Sequence, residues 1–405
     1  RRTAALNSGE KRLSQGEKMS ADKYWTALAG KYHVAKYVIV VVLVIMIVFM
    51  AIFGSGELKA ENFRYFFKYF QINPFSSVSS YNDITFTGNS DMKFSMYKGD
   101  LVSLCDGKLT VYSVSGKIQL SADAAGADTV VSDGKYLSLY KRGGNTATLY
   151  NSFSAVHTIN SEYPINDICV GPDGGFAVVT SEKNVRSAVL VYSKAFSLVY
   201  TWKSTDKYVS SVRLSENGKS VGIFASGTEN GIPYCELIVK KTGTGETTVD
   251  EKYRGETPYY VFFSDDGGTI SVTDRAARFY SPSGEKRGEE TFSGTLTDVC
   301  FSDDRLAVAR SEVGFSGTNV TVFSGDGDAR RNFSTGEKIY SVCPNGENVF
   351  LLGYGKLYVK GQYEDELDIE GGALDMFALD ESDIILCYTY GTRLARVGVG
   401  EGGKK

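Results

Sequence analysis

Residues 261–272 read VFFSDDGGTISV. Two runs of β-branched and aromatic residues flank an acidic, glycine-closed turn, which is the pattern of a tight hairpin. The phrase returns as ICVGPDGGFAVV at 168–179, VRLSENGKSVGIF at 212–224 and VCFSDDRLAVA at 299–309. The glycine supplies a positive φ at no steric cost, and the Asp or Asn before it bonds local backbone and tolerates the left-handed region. The turn glycines Gly134, Gly174, Gly218, Gly267 and Gly346 stand 40, 44, 49 and 79 residues apart, the last gap holding the degenerate Asp303–Asp304 turn. A second landmark keeps phase with the first: VYSVSG at 111–116, VYSKAF at 191–196, FYSPSG at 279–284 and VFSGDG at 322–327.

Two turn signals in fixed phase, with strand-like runs between them, define a unit of four short antiparallel strands repeating about every 40–45 residues, the signature of a β-propeller blade. Each glycine turn then joins the innermost strand of a blade to the next strand. Units begin near Met92, Asp128, Asn166, Ser210, Tyr259, Thr297, Tyr340 and Leu374. That predicts an all-β, eight-bladed β-propeller, with seven blades the alternative if 128–160 is not a full unit. The last unit runs out after three strands, and YNDITFTG at 81–88 has no partner in its own unit. It is expected to complete the last blade and so remove an exposed sheet edge.

Upstream, the run Tyr37–Phe53 holds 17 consecutive apolar residues. At 1.5 Å per residue it reaches about 26 Å, near the lower limit for crossing a bilayer. Residues 1–36 carry eight Lys/Arg and three Asp/Glu, which places the N-terminus in the cytoplasm by the positive-inside rule. The long leader and the poor cleavage site in AIFGSGELKA argue for an uncleaved signal anchor. The expected organisation is a basic cytoplasmic tail (1–36), a transmembrane helix (37–54), a juxtamembrane aromatic helix and linker (55–77) and an extracytoplasmic propeller (78–405). In the juxtamembrane stretch, Phe63, Phe66, Phe67 and Phe70 fall on one helical face. That stripe either packs under the propeller, lies at headgroup depth, or docks on a partner's membrane helix. With Tyr37 and Phe53 at the ends of the span, these are the candidate membrane or partner contacts.

Only His33 and His157 are present, which weighs against histidine triads, His-ligated zinc and haem. No P-loop motif occurs, and no nucleophile elbow stands in a suitable context, so neither catalysis nor a cofactor nor a metal is expected. The acidic turns lack calcium-loop spacing, and turn chemistry accounts for them. Cys169, Cys300 and Cys343 share one column, in DIC, DVC and SVC. They read as small buried apolar residues on strands expected to stand too far apart for disulfides. The run QYEDELDIEGG at 362–372 is an outer strand and loop, or an acidic docking patch.

The repeat resembles the WD-like and quinoprotein-like extracytoplasmic β-propellers, and the single-pass membrane propellers of unknown function found in Firmicutes. It lacks the Trp-Asp dipeptide and the tryptophan docking motif, Trp202 being the sole tryptophan after the apolar run. The resemblance therefore implies a fold and carries over no catalytic residue. Two functions remain. One is a non-enzymatic, membrane-anchored scaffold that binds another envelope protein through propeller loops. The other is a receptor or sensor that takes a small ligand or glycan in the central channel. The lipid bilayer is an expected partner and nucleic acid is not.

Overall fold

The computed structural model describes residues 82–397, except 114, 125, 153, 313, 315, 329 and 363, together with 36–37 and 40–44. The chain divides into two compact units, Arg1–Ile72 and Asn73–Lys405. In the first, the described residues are helical, and Tyr37 and Val40–Val44 are exposed. Among the described residues no helix is long and apolar enough to cross a membrane. Most of the expected span and all of the 55–77 helix lie outside the described residues.

The second unit is built from antiparallel sheets laid down in chain order. The first holds β1 (Lys93–Tyr97), β2 (Asp100–Cys105), β3 (Lys108–Tyr112) and β4 (Ile118–Asp123). A seven-stranded sheet follows: β5 (Thr129–Asp133), β6 (Tyr136–Tyr140), β7 (Gly144–Tyr150), β8 (Ala155–Val170), β9 (Phe176–Glu182), β10 (Val185–Tyr192) and β11 (Leu198–Ser204). Next come β12 (Tyr208–Leu214), β13 (Ser220–Glu229), β14 (Ile232–Lys241) and β15 (Thr247–Arg254), then β16 (Pro258–Phe263), β17 (Thr269–Thr273), β18 (Ala276–Tyr280) and β19 (Lys286–Thr291). Two more four-stranded sheets are β20 (Thr295–Ser302), β21 (Arg305–Ser311), β22 (Thr318–Ser324) and β23 (Arg330–Thr335), and β24 (Ser341–Asn345), β25 (Asn348–Leu352), β26 (Lys356–Lys360) and β27 (Asp365–Asp368). The last sheet is β28 (Asp375–Ala378), β29 (Asp383–Tyr388) and β30 (Gly391–Arg396).

The turns behave as their residues dictate. All five glycines of the first landmark have positive φ, from 46° at Gly134 to 94° at Gly174. Where the glycine is missing, Asp303 and Asp304 take φ of 52° and 51° between paired Ser302 and Arg305, a two-residue hairpin loop with both residues left-handed. The acidic side chains are occupied locally. Asp266 accepts from the Gly268 amide at 2.8 Å and Asp173 from the Gly175 amide at 2.8 Å. Some turns also clasp their neighbours, since Asp304 takes the Asp265 amide at 2.9 Å and Asp303 the Gly346 amide at 2.6 Å.

Strand β8 is the irregular feature. Its first half pairs with β7 and its second with β9. Pro164 falls where the partner changes, and its missing N–H costs no ladder bond there. Hydrophobic clusters straddle successive groups of strands throughout. One joins β2 and β3 to β6, one β6 and β7 to β8 and β9, one β9 and β10 to β12 and β13, and so on to a cluster shared by β25 and β29. A further cluster, with Ile84, Leu101, Ile385 and Cys387 at its centre, joins the last sheet back to the first. Where a closing strand is expected, residues 84–86 run beside the last sheet and join it by an isolated bridge and a few backbone bonds rather than as a fourth strand. Thr85 bridges Gly391, Phe86 donates to the Tyr390 carbonyl at 3.2 Å, and Thr392 donates to the Ile84 carbonyl at 2.8 Å.

Candidate functional site

The first strands of consecutive sheets lie against one another, as β1 on β5, β8 on β12, β12 on β16, β20 on β24 and β24 on β28. All but β8, which lies inside the seven-stranded sheet, are edges of their sheets, so their outward N–H groups need partners from elsewhere. A polar column supplies them. At one level it holds Asp167, Ser211, Tyr260, Asp298, Ser341 and Asp375. Asp298 accepts from the Val342 amide of the next sheet at 2.8 Å, and Ser211 accepts from the Val261 amide of the next sheet at 3.4 Å. Asp167 and Asp375 each accept from the following residue's amide at 2.9 Å. The residues that follow them, Ile168, Val212, Val261, Val342 and Met376, are buried between sheets, and Val299 after Asp298 is partly buried, as strand alternation requires.

These groups feel one another across the interior. Burial raises the Asp298 carboxyl against hydrogen bonds from the Val342 and Val299 amides. Burial pushes Asp375 up to about 6, and nearby Asp298 adds to the rise. Asp133, at the end of β5, also stands at about 6 through burial, with Arg213 on β12 pulling the other way although β8 lies between them. Asp133 is nonetheless reached by solvent. Tyr260, its phenol raised by burial and by Asp298, stacks on Phe262 at 5.7 Å, which stacks on Phe301 at 5.3 Å.

One level further, the column holds Cys169, Arg213, Phe262, Cys300, Cys343 and Phe377. One pair of equivalent cysteines does act on each other: Cys300 and Cys343, on neighbouring inner strands, shift each other's thiol ionisation, and Cys343 Sγ also lies 3.9 Å from the Pro344 carbonyl. Inner strands converge on the axis of a propeller, so neighbours are closest there. All six cysteines are free thiols, with Cys169, Cys235 and Cys387 buried. His157, as expected of a strand histidine, is accounted for by packing, stacking on Phe196 at 4.3 Å.

A second feature is a surface. The inner strands begin at one face of the ring, and most of the exposed large apolar side chains of the described propeller gather there. Tyr208, Tyr259 and Tyr260 open β12 and β16, Tyr340 and Leu374 precede β24 and β28, and Ile232, Tyr354 and Tyr390 sit in hairpins that turn at the same level. Tyr208, Tyr340 and Tyr354 are 55%, 52% and 67% exposed. On the opposite side the comparable residues are Ile118, Leu198 and Val199, all on outer strands. The acidic 362–372 run contains the outer strand β27, on which Glu366 pairs with Lys356, and just before it Glu364 pairs with Lys360.

Of the sequence-predicted contact residues, Tyr37 is helical and exposed, while Phe53, Phe63, Phe66, Phe67 and Phe70 lie outside the described residues. Among the described residues no group of three or more His, Cys, Asp or Glu is arranged to hold a metal ion. The polar column and the tyrosine face were not singled out from sequence, although Tyr259, Tyr340 and Leu374 mark unit starts.

The family of unknown function DUF5711 matches residues 71–373. The chain belongs to that family. No curated protein matches this DUF5711 chain in sequence. Solved structures similar to it include the computationally designed Ika8 protein (11% identity, TM-score 0.57, covering 78% of this chain and 99% of that one). The C-terminal WD40 domain of Sif2 is also similar (11%, 0.54, covering 79% and 98%), as is BamB from Moraxella catarrhalis (11%, 0.51, covering 78% and 99%). At these identities the likeness is one of fold: this DUF5711 member is a β-propeller of repeated units.

Proposed function

We propose that this chain is a non-catalytic scaffold, an eight-bladed propeller anchored by residues 37–54 to the outer side of a bacterial cytoplasmic membrane, which binds another envelope protein through its tyrosine-rich face. The gathering of exposed aromatics on one face carries this reading, since aromatic side chains supply most of the energy at protein interfaces and contiguous exposed apolar patches are rare on monomers. The blade count rests on β8, whose two halves serve two blades, and on the clusters that straddle neighbouring blades and return to the first. The anchor rests on the apolar run, on the basic flank and on the exposure of Val40–Val44. The test is capture from native membranes with the full chain, with Tyr259→Ser/Tyr340→Ser and with Leu198→Ser. The reading requires a protein partner held by the parent and by Leu198→Ser and lost from the double variant. Equal capture by all three refutes it. Protease added to intact spheroplasts should digest the propeller and spare the tail, and a protected propeller overturns the orientation.

A second reading, a receptor for a small ligand or glycan in the channel, is favoured by the stacked Tyr260, Phe262 and Phe301 beside Asp298. It predicts that Phe262→Ala, which breaks the stack without touching the exposed face, abolishes ligand binding while partner capture by the face survives.

A further inference from the structure

The inner strands β20 and β24 run side by side, within 8 Å between Cα atoms. The bond from the Val342 amide to Asp298 fixes their register. Two residues beyond Asp298 stands Cys300, and one beyond Val342 stands Cys343, so the tie places both thiols at one level on neighbouring sheets. Each is half-buried, whereas Cys169, Cys235 and Cys387 are buried outright. Cys105, the remaining accessible thiol, lies on β2 and bonds to Asp106.

We propose that Cys300 and Cys343 are a dithiol–disulfide pair that closes between neighbouring sheets at the axis of the ring by exchange with a small neutral disulfide. The attacking sulfur is Cys343: the neighbouring Cys300 holds its thiol below the ordinary range, while Cys300 itself is raised well above. The Cys343 thiolate attacks one sulfur of the external disulfide, breaking its S–S bond, and the departing thiolate takes up the proton that Cys343 gave up. Cys300 then loses its proton and attacks the Cys343 sulfur of the mixed disulfide. The second external thiolate leaves and takes that proton. Two protein thiols are oxidised to one disulfide, and one external disulfide is reduced to two thiols.

The experiment uses the full chain in detergent, fully reduced and then equilibrated with hydroxyethyl disulfide. Remaining thiols are quenched with N-ethylmaleimide before peptide mapping. The expected product is a peptide pair linked 300–343, with Cys169, Cys235 and Cys387 alkylated only after denaturation, which also reports an intact fold. Cys300→Ser should trap a mixed disulfide on Cys343, and Cys343→Ser should leave Cys300 unmodified. A wild-type chain that keeps its fold yet yields no 300–343 link, or one that links Cys105 instead, overturns the proposal. Persistent mixed disulfides at both positions of the wild type overturn it as well, because they mean that the second sulfur cannot reach the first.

Discussion

Ring closure should be the most sensitive point of the fold, and Ile84 tests it. Its side chain is 4% exposed in the cluster that joins the last sheet to the first. Its carbonyl accepts from the Thr392 amide at 2.8 Å, and its amide donates to Thr392 Oγ1 at 2.9 Å. Ile84→Ala keeps these backbone bonds and removes only packing, at a cost of about 2–5 kcal/mol. For a domain of this size that is a fall in melting temperature of about 3–7 °C. Thr392→Val keeps the shape and strands the Ile84 amide, at about 1–3 kcal/mol. Ile118→Ala, on an outer strand and 52% exposed, is the control and should move stability by less than about 0.5 kcal/mol. The assay is thermal melting of the full chain in detergent, followed by tryptophan fluorescence and circular dichroism. If Ile84→Ala melts with the parent, residues 82–86 do not carry the closure, and the ring must be held by contacts between β1 and the last sheet alone.

Asp375→Asn should raise stability at pH 7 by about 1–2 kcal/mol, because the fold holds this carboxyl at about 6 against 3.8 ordinarily, and keeping it ionised there is a burden that the amide does not carry. The contribution of Asp375 is complete below pH 3.8 and is lost as pH rises to about 6, so the variant should flatten the profile across that window; an Asn variant less stable than the parent at pH 7 refutes it. Arg278→Met should cost about 3–5 kcal/mol in urea unfolding, because buried Arg278 holds Glu256 through two bonds of 2.7 and 2.8 Å and Glu289 through one of 3.1 Å; a loss below about 1 kcal/mol would mean that the site is hydrated. Gly134→Ala should cost more than about 1 kcal/mol by thermal melting, since φ is 46° and an added Cβ would lie 2.4 Å from the Pro172 backbone, and an unchanged melt contradicts that contact.

The turns were legible because their chemistry is local. A left-handed turn after an inner strand favours Gly, Asp or Asn whatever packs around it, although Lys98 takes φ of 52° after β1, and the steps between the turn glycines counted the units. The predicted unit starts at Met92, Asp128, Tyr259, Tyr340 and Leu374 each fall within a residue of an observed strand start. The continuity of β8 was not legible. The link between its halves, SEYPIN, lacks the glycine that marks other turns, and an unmarked link reads the same whether the chain bends or runs straight. The mutual influence of Cys300 and Cys343 was hidden for a different reason. Spacing along the chain records the period of the repeat but not how far inner strands converge, so equal columns looked equally remote. The tyrosine face was hidden because exposure depends on what a hairpin leaves uncovered, and a tyrosine in a strand pattern reads first as core.

Specificity in this ring resides where the fold makes the fewest demands. Turn positions recur because backbone geometry requires them, and the alternate inner-strand positions recur because Ile168, Val212, Val261, Val342 and Met376 must fill the space between sheets. Two sets of positions escape both demands: the inner column and the strand-start face. In the column the residues change from unit to unit, as Asp, Ser, Tyr, Asp, Ser and Asp, yet several of them satisfy an inner-edge amide, so part of their polarity is structural. The face carries no such duty. Tyr340 and Tyr354 are more than half exposed, and burying one aromatic side chain is worth roughly 1.5–3 kcal/mol, so leaving both in water forgoes stabilisation that the fold does not recover. A bound protein can recover it. On the proposed reading, the face is therefore where a partner would bind.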